Sequence, residues 1–280
     1  MTSAHSVWLV TGCSSGFGRE IARILVKRGH QVVVTARNPA ALDEFASARN
    51  ALVAALDVTV PVQIADVVQQ AEARFGRIDV LLNNAGYGYL AAVEEGEDQE
   101  VRAMFETNVF GLANMTKAVL PGMRERGRGH IVNISSVGGL VGFPGIGYYN
   151  ATKFAVEGLS EALAKETAPL GIRVTIVEPG PFRTDWAGRS LKTPKSAIDD
   201  YAQSAGARRA AIQGYSGSQQ GDPVRGAEAI IQAVESPEPP LHLLLGRPAC
   251  EMIAVKFKEF SAEIDKWREV SLAADFPDAG

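Results

Sequence analysis

The chain reads as a single α/β domain built on a doubly wound parallel sheet with helices on both faces, and three observations predict it. Short apolar runs rich in β-branched residues recur at 7–10, 32–35, 52–56, 80–82, 130–134 and 173–177, the signature of strands buried on both sides. Helix-like stretches at 18–28, 61–75, 98–126 and 149–168 separate them, and a repeated strand-then-helix order requires parallel pairing with the helices covering the sheet. Finally, 280 residues with 46% hydrophobic and 21% charged side chains suit one large globular domain and leave no case for disorder. Right-handed crossovers place the ligand crevice of such a sheet beyond the carboxyl ends of its strands.

Charge and cysteine content narrow the partners. A formal net charge of −4 provides no basic field for nucleic acid or anionic lipid. Cys13 and Cys250 are too few and too far apart for a disulfide framework or a zinc site, so no metal is expected and a reducing, cytoplasmic setting fits. No run approaches the roughly twenty apolar residues that span a bilayer, and the N-terminus enters the first strand without a signal-peptide pattern. The expected partner is a small molecule.

The rhythm breaks over 182–222, where small and polar residues dominate. A segment of this length is expected to act as a substrate lid, with a plain surface insertion as the alternative. A last strand, 241–245, follows Pro237, Pro239 and Pro240. The helical extension at about 248–272 carries Ile253, Phe257, Phe260, Ile264 and Trp267 at alternating spacings of four and three, on one face that must be buried. Packing on its own domain is the expectation; a subunit contact or a wall of the substrate pocket are the alternatives.

Each chemical motif falls at a strand end. Thr11-Gly12-Cys13-Ser14-Ser15-Gly16-Phe17-Gly18 stands between the first strand and a helix. Its glycines allow a tight turn and close approach of a pyrophosphate, whose charge the helix N-terminus would hold. Cys13 has no second thiol or histidine beside it and reads as a small packing residue. With three residues between its first two glycines, this loop resembles that of the short-chain dehydrogenase/reductase family, a Rossmann-type fold. The resemblance runs from Val7 to about Leu245. It implies that Asp57, with Val58 beside it, meets the adenine, and that Asn84, Ala85 and Gly86 line the cofactor in a turn begun by Asn83. It also implies that Pro179, Gly180, Phe182 and Thr184 form the nicotinamide side. Without it, Asp57 is equally a turn cap and 83–86 an ordinary turn.

Cofactor choice rests on the end of the second strand. A carboxylate there binds the ribose hydroxyls of NAD and repels a 2′-phosphate. Ala36 stands at that position, and Arg37 follows, able to pair with the phosphate. NADP(H) is therefore the expected cofactor, NAD(H) being possible.

Tyr149 and Lys153 are four residues apart at the start of a helix and share a face. An ammonium beside a phenol stabilises the phenolate and is expected to lower its pKa, fitting Tyr149 for acid–base work. Tyr148 has Thr152 at the equivalent spacing and lacks that charge. Ser136, or its neighbour Ser135, ends the fifth strand, where a hydroxyl can stabilise a carbonyl oxygen. The resemblance implies Ser136 and Tyr149 as catalytic, Lys153 with the additional task of binding the nicotinamide ribose, and Asn108 as the residue positioning a water in the proton relay.

The function that follows is carbonyl–alcohol interconversion by an NADP(H)-dependent oxidoreductase. Phe143, Tyr148, Phe182 and Trp186, with Tyr87 and Tyr89, suggest a bulky apolar substrate. The stretch 178–189 is similar to the 17β-hydroxysteroid and retinol dehydrogenase branch, which implies a steroid-like or other lipophilic ketone. A 3-oxoacyl or small aryl-ketone reductase, an epimerase or dehydratase of the same family, and a non-catalytic NADPH-binding regulator are the alternatives. The resemblance further implies a homodimer or homotetramer built through the long helices around Asn108 and Tyr149.

Overall fold

The computed structural model describes residues 5–188 and 191–276. Its first half alternates as expected: β1 (Val7–Val10), α1 (Gly16–Lys27), β2 (Gln31–Ala36), β3 (Ala51–Ala55), α2 (Pro61–Phe75) and β4 (Val80–Asn83). A short β5 (Gly88–Tyr89) precedes α3 (Asp98–Phe105) and α4 (Leu112–Glu125), and then come β6 (Gly129–Ile134), α5 (Gly147–Thr167) and β7 (Ile172–Pro179). The chain closes with β8 (Leu191–Lys192), α6 (Ala207–Gly214), α7 (Pro223–Glu235), β9 (His242–Leu245) and α8 (Arg247–Leu272).

Seven strands form one parallel sheet in the order β3-β2-β1-β4-β6-β7-β9. The order reverses between β1 and β4, and the crevice opens at that switch point. Period-two geometry divides each strand between two cores. Trp8 and Val10 join Ile21, Leu25, Ile230 and Val234 under α1 and α7. Leu9 turns the other way, to Val67, Met115, Val119 and Leu163 under α2, α4 and α5.

Two expectations need correction. The single helix over 98–126 is interrupted at Glu106–Gly111 by a π-helical turn; such wide turns concentrate at functional sites, and this one carries Asn108. The apolar stripe of the C-terminal helix is not packed on its own domain. Its first turns bury Ala249 and Ile253 beside Val137, but the helix then runs past the edge of the domain, leaving Phe257, Phe260, Ile264 and Trp267 about half exposed.

The 182–222 segment is folded rather than plain coil, though its residues 189 and 190, like the end of the 178–189 stretch, lie outside the described residues. β8 pairs in parallel with β5, Phe182 bridges to Gly221, and α6 lies over the substrate end of the crevice. Among the described residues no helix is long and apolar enough to cross a membrane.

Candidate active site

One cleft of about 1100 Å³ runs along the strand ends from Arg37 and Asp57 to Trp186 and Tyr215. The glycine loop forms its floor. Gly12 has φ +71°, and a Cβ there would lie 2.9 Å from the Ala85 Cα; at Gly18 it would lie 2.6 Å from the Gly12 carbonyl. Only glycine suits the first position. The contact with Ala85 joins two motifs that are separate in sequence. Thr11 Oγ1 accepts from the Asn84 and Ala85 amides at 2.9 and 3.0 Å, and Asn84 Nδ2 donates to the Thr11 and Gly12 carbonyls at 2.8 and 3.0 Å. Ser15 stands at the N-cap of α1 without a side-chain capping bond. The first amides of that helix therefore retain free donors beside Ser14, Gly16 and Phe17 in the cleft wall, a cradle suited to a phosphate.

Other residues expected on the cofactor side also line the cleft: Arg37, Asp57, Val58, Gly86, Pro179, Gly180, Phe182 and Thr184. Asp57 also caps a turn, its Oδ1 accepting from the Thr59 amide and hydroxyl at 3.0 and 2.7 Å. Phe182 packs edge-on against Phe17, ring centroids 4.9 Å apart. Cys13 is fully buried among core residues, and burial pushes its thiol up to about 12, as befits a packing residue.

Tyr149, Lys153 and Ser136 meet on one wall. Tyr149 is buried against Trp186 at 5.1 Å between ring centroids. Lys153 Nζ stands 5.7 Å from the tyrosine ring centroid and donates to the Ile134 carbonyl at 2.8 Å. Ser136 Oγ accepts from the Gly138 amide at 3.0 Å and hydrogen-bonds the Tyr149 phenol. Tyr148 Oη instead donates to the Val93 carbonyl at 2.7 Å, and Tyr148 does not line the cleft.

The electrostatics differ from the sequence expectation. Burial pushes the Tyr149 phenol up to about 12, opposed by its bond to Ser136, rather than leaving it lowered. Lys153, whose ammonium donates to Ile134, is itself pushed down to about 8 by burial, with Glu157 opposing. In both groups desolvation is the largest influence.

Asn108 locks Tyr87 in place. Its Oδ1 accepts from the Tyr87 amide at 3.0 Å, and its Nδ2 donates to the Tyr87 carbonyl at 2.9 Å and to Thr152 Oγ1 at 3.2 Å. Of the aromatics expected at the pocket, Tyr87, Phe143, Phe182 and Trp186 line it. Tyr148 and Tyr89 do not; Tyr89 is 1% exposed, packed behind the lining in the same apolar cluster as Tyr149, Phe143 and Trp186, with its hydroxyl accepting from the Glu97 amide at 3.2 Å.

Two groups of residues escaped sequence reasoning. Glu157, Glu178 and His242 gather behind Ser135 and Lys153, their donor atoms within 4.8 Å of one another, with His242 Nδ1 hydrogen-bonded to Glu178 Oε1 at 2.7 Å. Burial pushes Glu157 up to about 7, against the Ser135 hydroxyl. The available signal was Glu157 one turn after Lys153 on the same helix. The second group anchors the 182–222 segment. Glu95, 8% exposed, pairs with Arg209 at 2.6 Å and accepts from the Ile198 amide at 3.0 Å. Glu97 pairs with Lys195, Glu100 with Lys192, and Tyr201 Oη donates to Glu94 at 2.7 Å. No sequence spacing signals these contacts, since about a hundred residues separate the partners.

A switch-point crevice with a phosphate cradle at one end and a Ser–Tyr–Lys wall at the other defines a dinucleotide-dependent oxidoreductase site. Residues 6–195 match the family described as short chain dehydrogenase, and the chain belongs to it; it is an oxidoreductase of that family. It is 45% identical to a 3-ketodihydrosphingosine reductase of Bacteroides thetaiotaomicron over 197 residues, 70% of this chain and 71% of that one. A short-chain dehydrogenase from Streptomyces avermitilis superposes with a TM-score of 0.90 at 45% identity, covering 97% of this chain and 100% of the other. A serine dehydrogenase in its closed form with NADP+ superposes with a TM-score of 0.74 at 30% identity, covering 85% and 94%.

Proposed function

We propose that the protein is an NADP(H)-dependent reductase and dehydrogenase interconverting a bulky, apolar ketone and its alcohol. The observation that carries this reading is the convergence of Ser136, Tyr149 and Lys153 on the cleft that the glycine loop opens. When bound, the nicotinamide supplies or accepts the hydride. The free amides of α1 would hold its phosphates, Arg37 its 2′-phosphate, and Asp57 and Val58 its adenine. The turn from Asn84 to Gly86 and the stretch from Pro179 to Thr184 would hold its nicotinamide half.

In the reducing direction Tyr149 Oη gives its proton to the carbonyl oxygen as that oxygen gains charge, and Ser136 donates a hydrogen bond to the same atom. A phenol held at about 12 is protonated at neutral pH, the form this direction requires. Lys153, charged below about 8, steadies the phenolate left behind and would bind the ribose. The wide turn at Asn108 is where a water would resupply its proton. Oxidation reverses these steps.

Support for a large lipophilic substrate comes from the Tyr87, Phe143, Trp186 and Tyr215 lining and from the name of the Bacteroides relative. The folded 182–222 segment serves as the lid over this end, and the enzyme works in the cytoplasm as a homo-oligomer. The test is an oxidation screen with NADPH and with NADH over steroid, retinoid, long-chain 3-keto, 3-oxoacyl and aryl-ketone substrates. Turnover is expected with NADPH and the large apolar ketones; a preference for NADH, or for small polar carbonyls, would overturn the respective half of the assignment.

A further inference from the structure

Helix α6 turns one side to the cleft: Arg208 and Ile212 line it, and Tyr215 just beyond the helix continues the row, at the spacing of a single helical face. Two consecutive arginines on this helix have different surroundings. Arg209 does not line the cleft and is matched, its guanidinium paired with the buried Glu95 at 2.6 Å. Arg208 lines the cleft and is unmatched. It has no ion pair among the described residues, and its Nε is buried without a hydrogen-bond partner. A guanidinium drawn partly out of water with no protein acceptor for its donors is an unfavourable arrangement, and one that a ligand carrying the missing acceptor would relieve.

The guanidinium is also held in position. It lies over the Phe143 ring, 5.0 Å from the centroid, and Phe143 lines the cleft in the same apolar cluster as Tyr149 and Trp186. The Phe143 amide donates to Asn150 Oδ1 at 2.9 Å, which ties the ring to the residue after Tyr149. The same loop abuts the turn before α6, where a Cβ on Gly145 would lie 3.0 Å from the Ala205 carbonyl. Stacking on an aromatic ring restrains a guanidinium while leaving its edge donors available. Neighbouring cations in the lining are already engaged: Lys192 pairs with Glu100, and Lys153 donates to the Ile134 carbonyl.

The geometry points to Arg208 as a specificity-determining residue that binds a carboxylate on the substrate, so that the ketone reduced here is an oxo acid with an apolar body. The inference rests on the reductase reading above and names its substrate class. A carboxylate matches the planar donor fork of arginine in shape and charge. The aromatic lining of Phe143, Trp186 and Tyr215 would take the apolar body, with the carboxylate at Arg208 and the carbonyl at Tyr149.

The test compares, on the full chain with NADPH, phenyl ketones that carry a terminal carboxylate on alkyl chains of increasing length, the methyl esters of these acids, and the corresponding terminal amines. At the best-fitting length the acid is expected to exceed its ester in kcat/KM by about tenfold or more, with the amine poorest. Arg208→Met is expected to bring acid and ester within about twofold of each other, and Arg208→Lys, which keeps the charge without the fork, to retain part of the preference. Binding of the same acid and ester to the protein loaded with NADP+, read by tryptophan fluorescence, gives the same comparison without turnover. An acid preference in binding that Arg208→Met abolishes, in a protein that reduces none of these ketones, would uphold the carboxylate site and refute the reductase reading instead. The proposal is overturned if acid and ester bind and react equally at every chain length, or if Arg208→Met weakens both alike. It is also overturned if that variant raises KM for NADPH as much as KM for the acid, which would place Arg208 at the cofactor.

Discussion

The two ends of the cleft are held together in different ways. At the cofactor end, backbone and short side chains do the holding: Thr11, Asn84 and the glycines lock two strand ends together by local turns and hydrogen bonds. At the substrate end, β8, α6 and the loops between them are tied to residues 94–100 by long side chains, chiefly Glu95 with Arg209 and the Ile198 amide. The first construction makes a rigid cradle that a dinucleotide meets ready-made. The second rests on a few ion pairs, which the proposed lid would break and remake without disturbing the sheet.

Three substitutions, in falling order of effect, separate these constructions, and a pH profile then sharpens the picture. Lys153→Met leaves both ends folded but removes the charge that supports Tyr149; kcat is expected to fall about 10³-fold in steady-state assays. Glu95→Gln leaves Arg209 without its buried partner. It is expected to raise KM for the ketone by about tenfold or more and to lower the melting temperature by a few degrees, with cofactor affinity, read by fluorescence titration, unchanged. A weaker cofactor affinity in that variant would mean that the two ends are one construction. Arg37→Ala acts on the opposite end, raising KM for NADPH by about tenfold with KM for NADH and for the ketone unaffected.

The pH dependence concerns the wall between the ends. Lys153 is charged below about 8, so kcat/KM for reduction is expected to fall as pH rises through that value. The Glu157 carboxylate favours the ammonium. Glu157→Gln is therefore expected to move this limb to lower pH, by about half a unit or more, while a limb that stays in place would show that Glu157 has no influence on the lysine.

The same contrast explains what the amino-acid sequence reveals. The parallel sheet, the glycine loop and the Tyr149–Lys153 register are readable because strand alternation, tight turns and helical spacing are local rules. Asn108 and Ser136 become readable as site residues only through family resemblance, since an asparagine in a helix and a serine at a strand end have many ordinary uses. The Glu157–Glu178–His242 cluster and the Glu95–Arg209 pair are tertiary, formed by elements that meet only after folding. The Tyr149 shift runs opposite to the sequence expectation for a related reason: spacing reveals the neighbouring charge but not the burial that raises the phenol. The C-terminal stripe shows the limit from the other side, because its periodicity requires a cover without saying which surface provides it.

Tyr149→Phe tests the central claim most directly, because it removes one oxygen and leaves the ring against Trp186. NADPH binding by fluorescence titration and NADPH oxidation with a ketone found in the substrate screen are to be measured on the same preparation. Cofactor affinity within about twofold of wild type, with turnover reduced about 10³-fold or more, is the predicted result. Turnover within tenfold of wild type would contradict it and remove Tyr149 from the proton transfer.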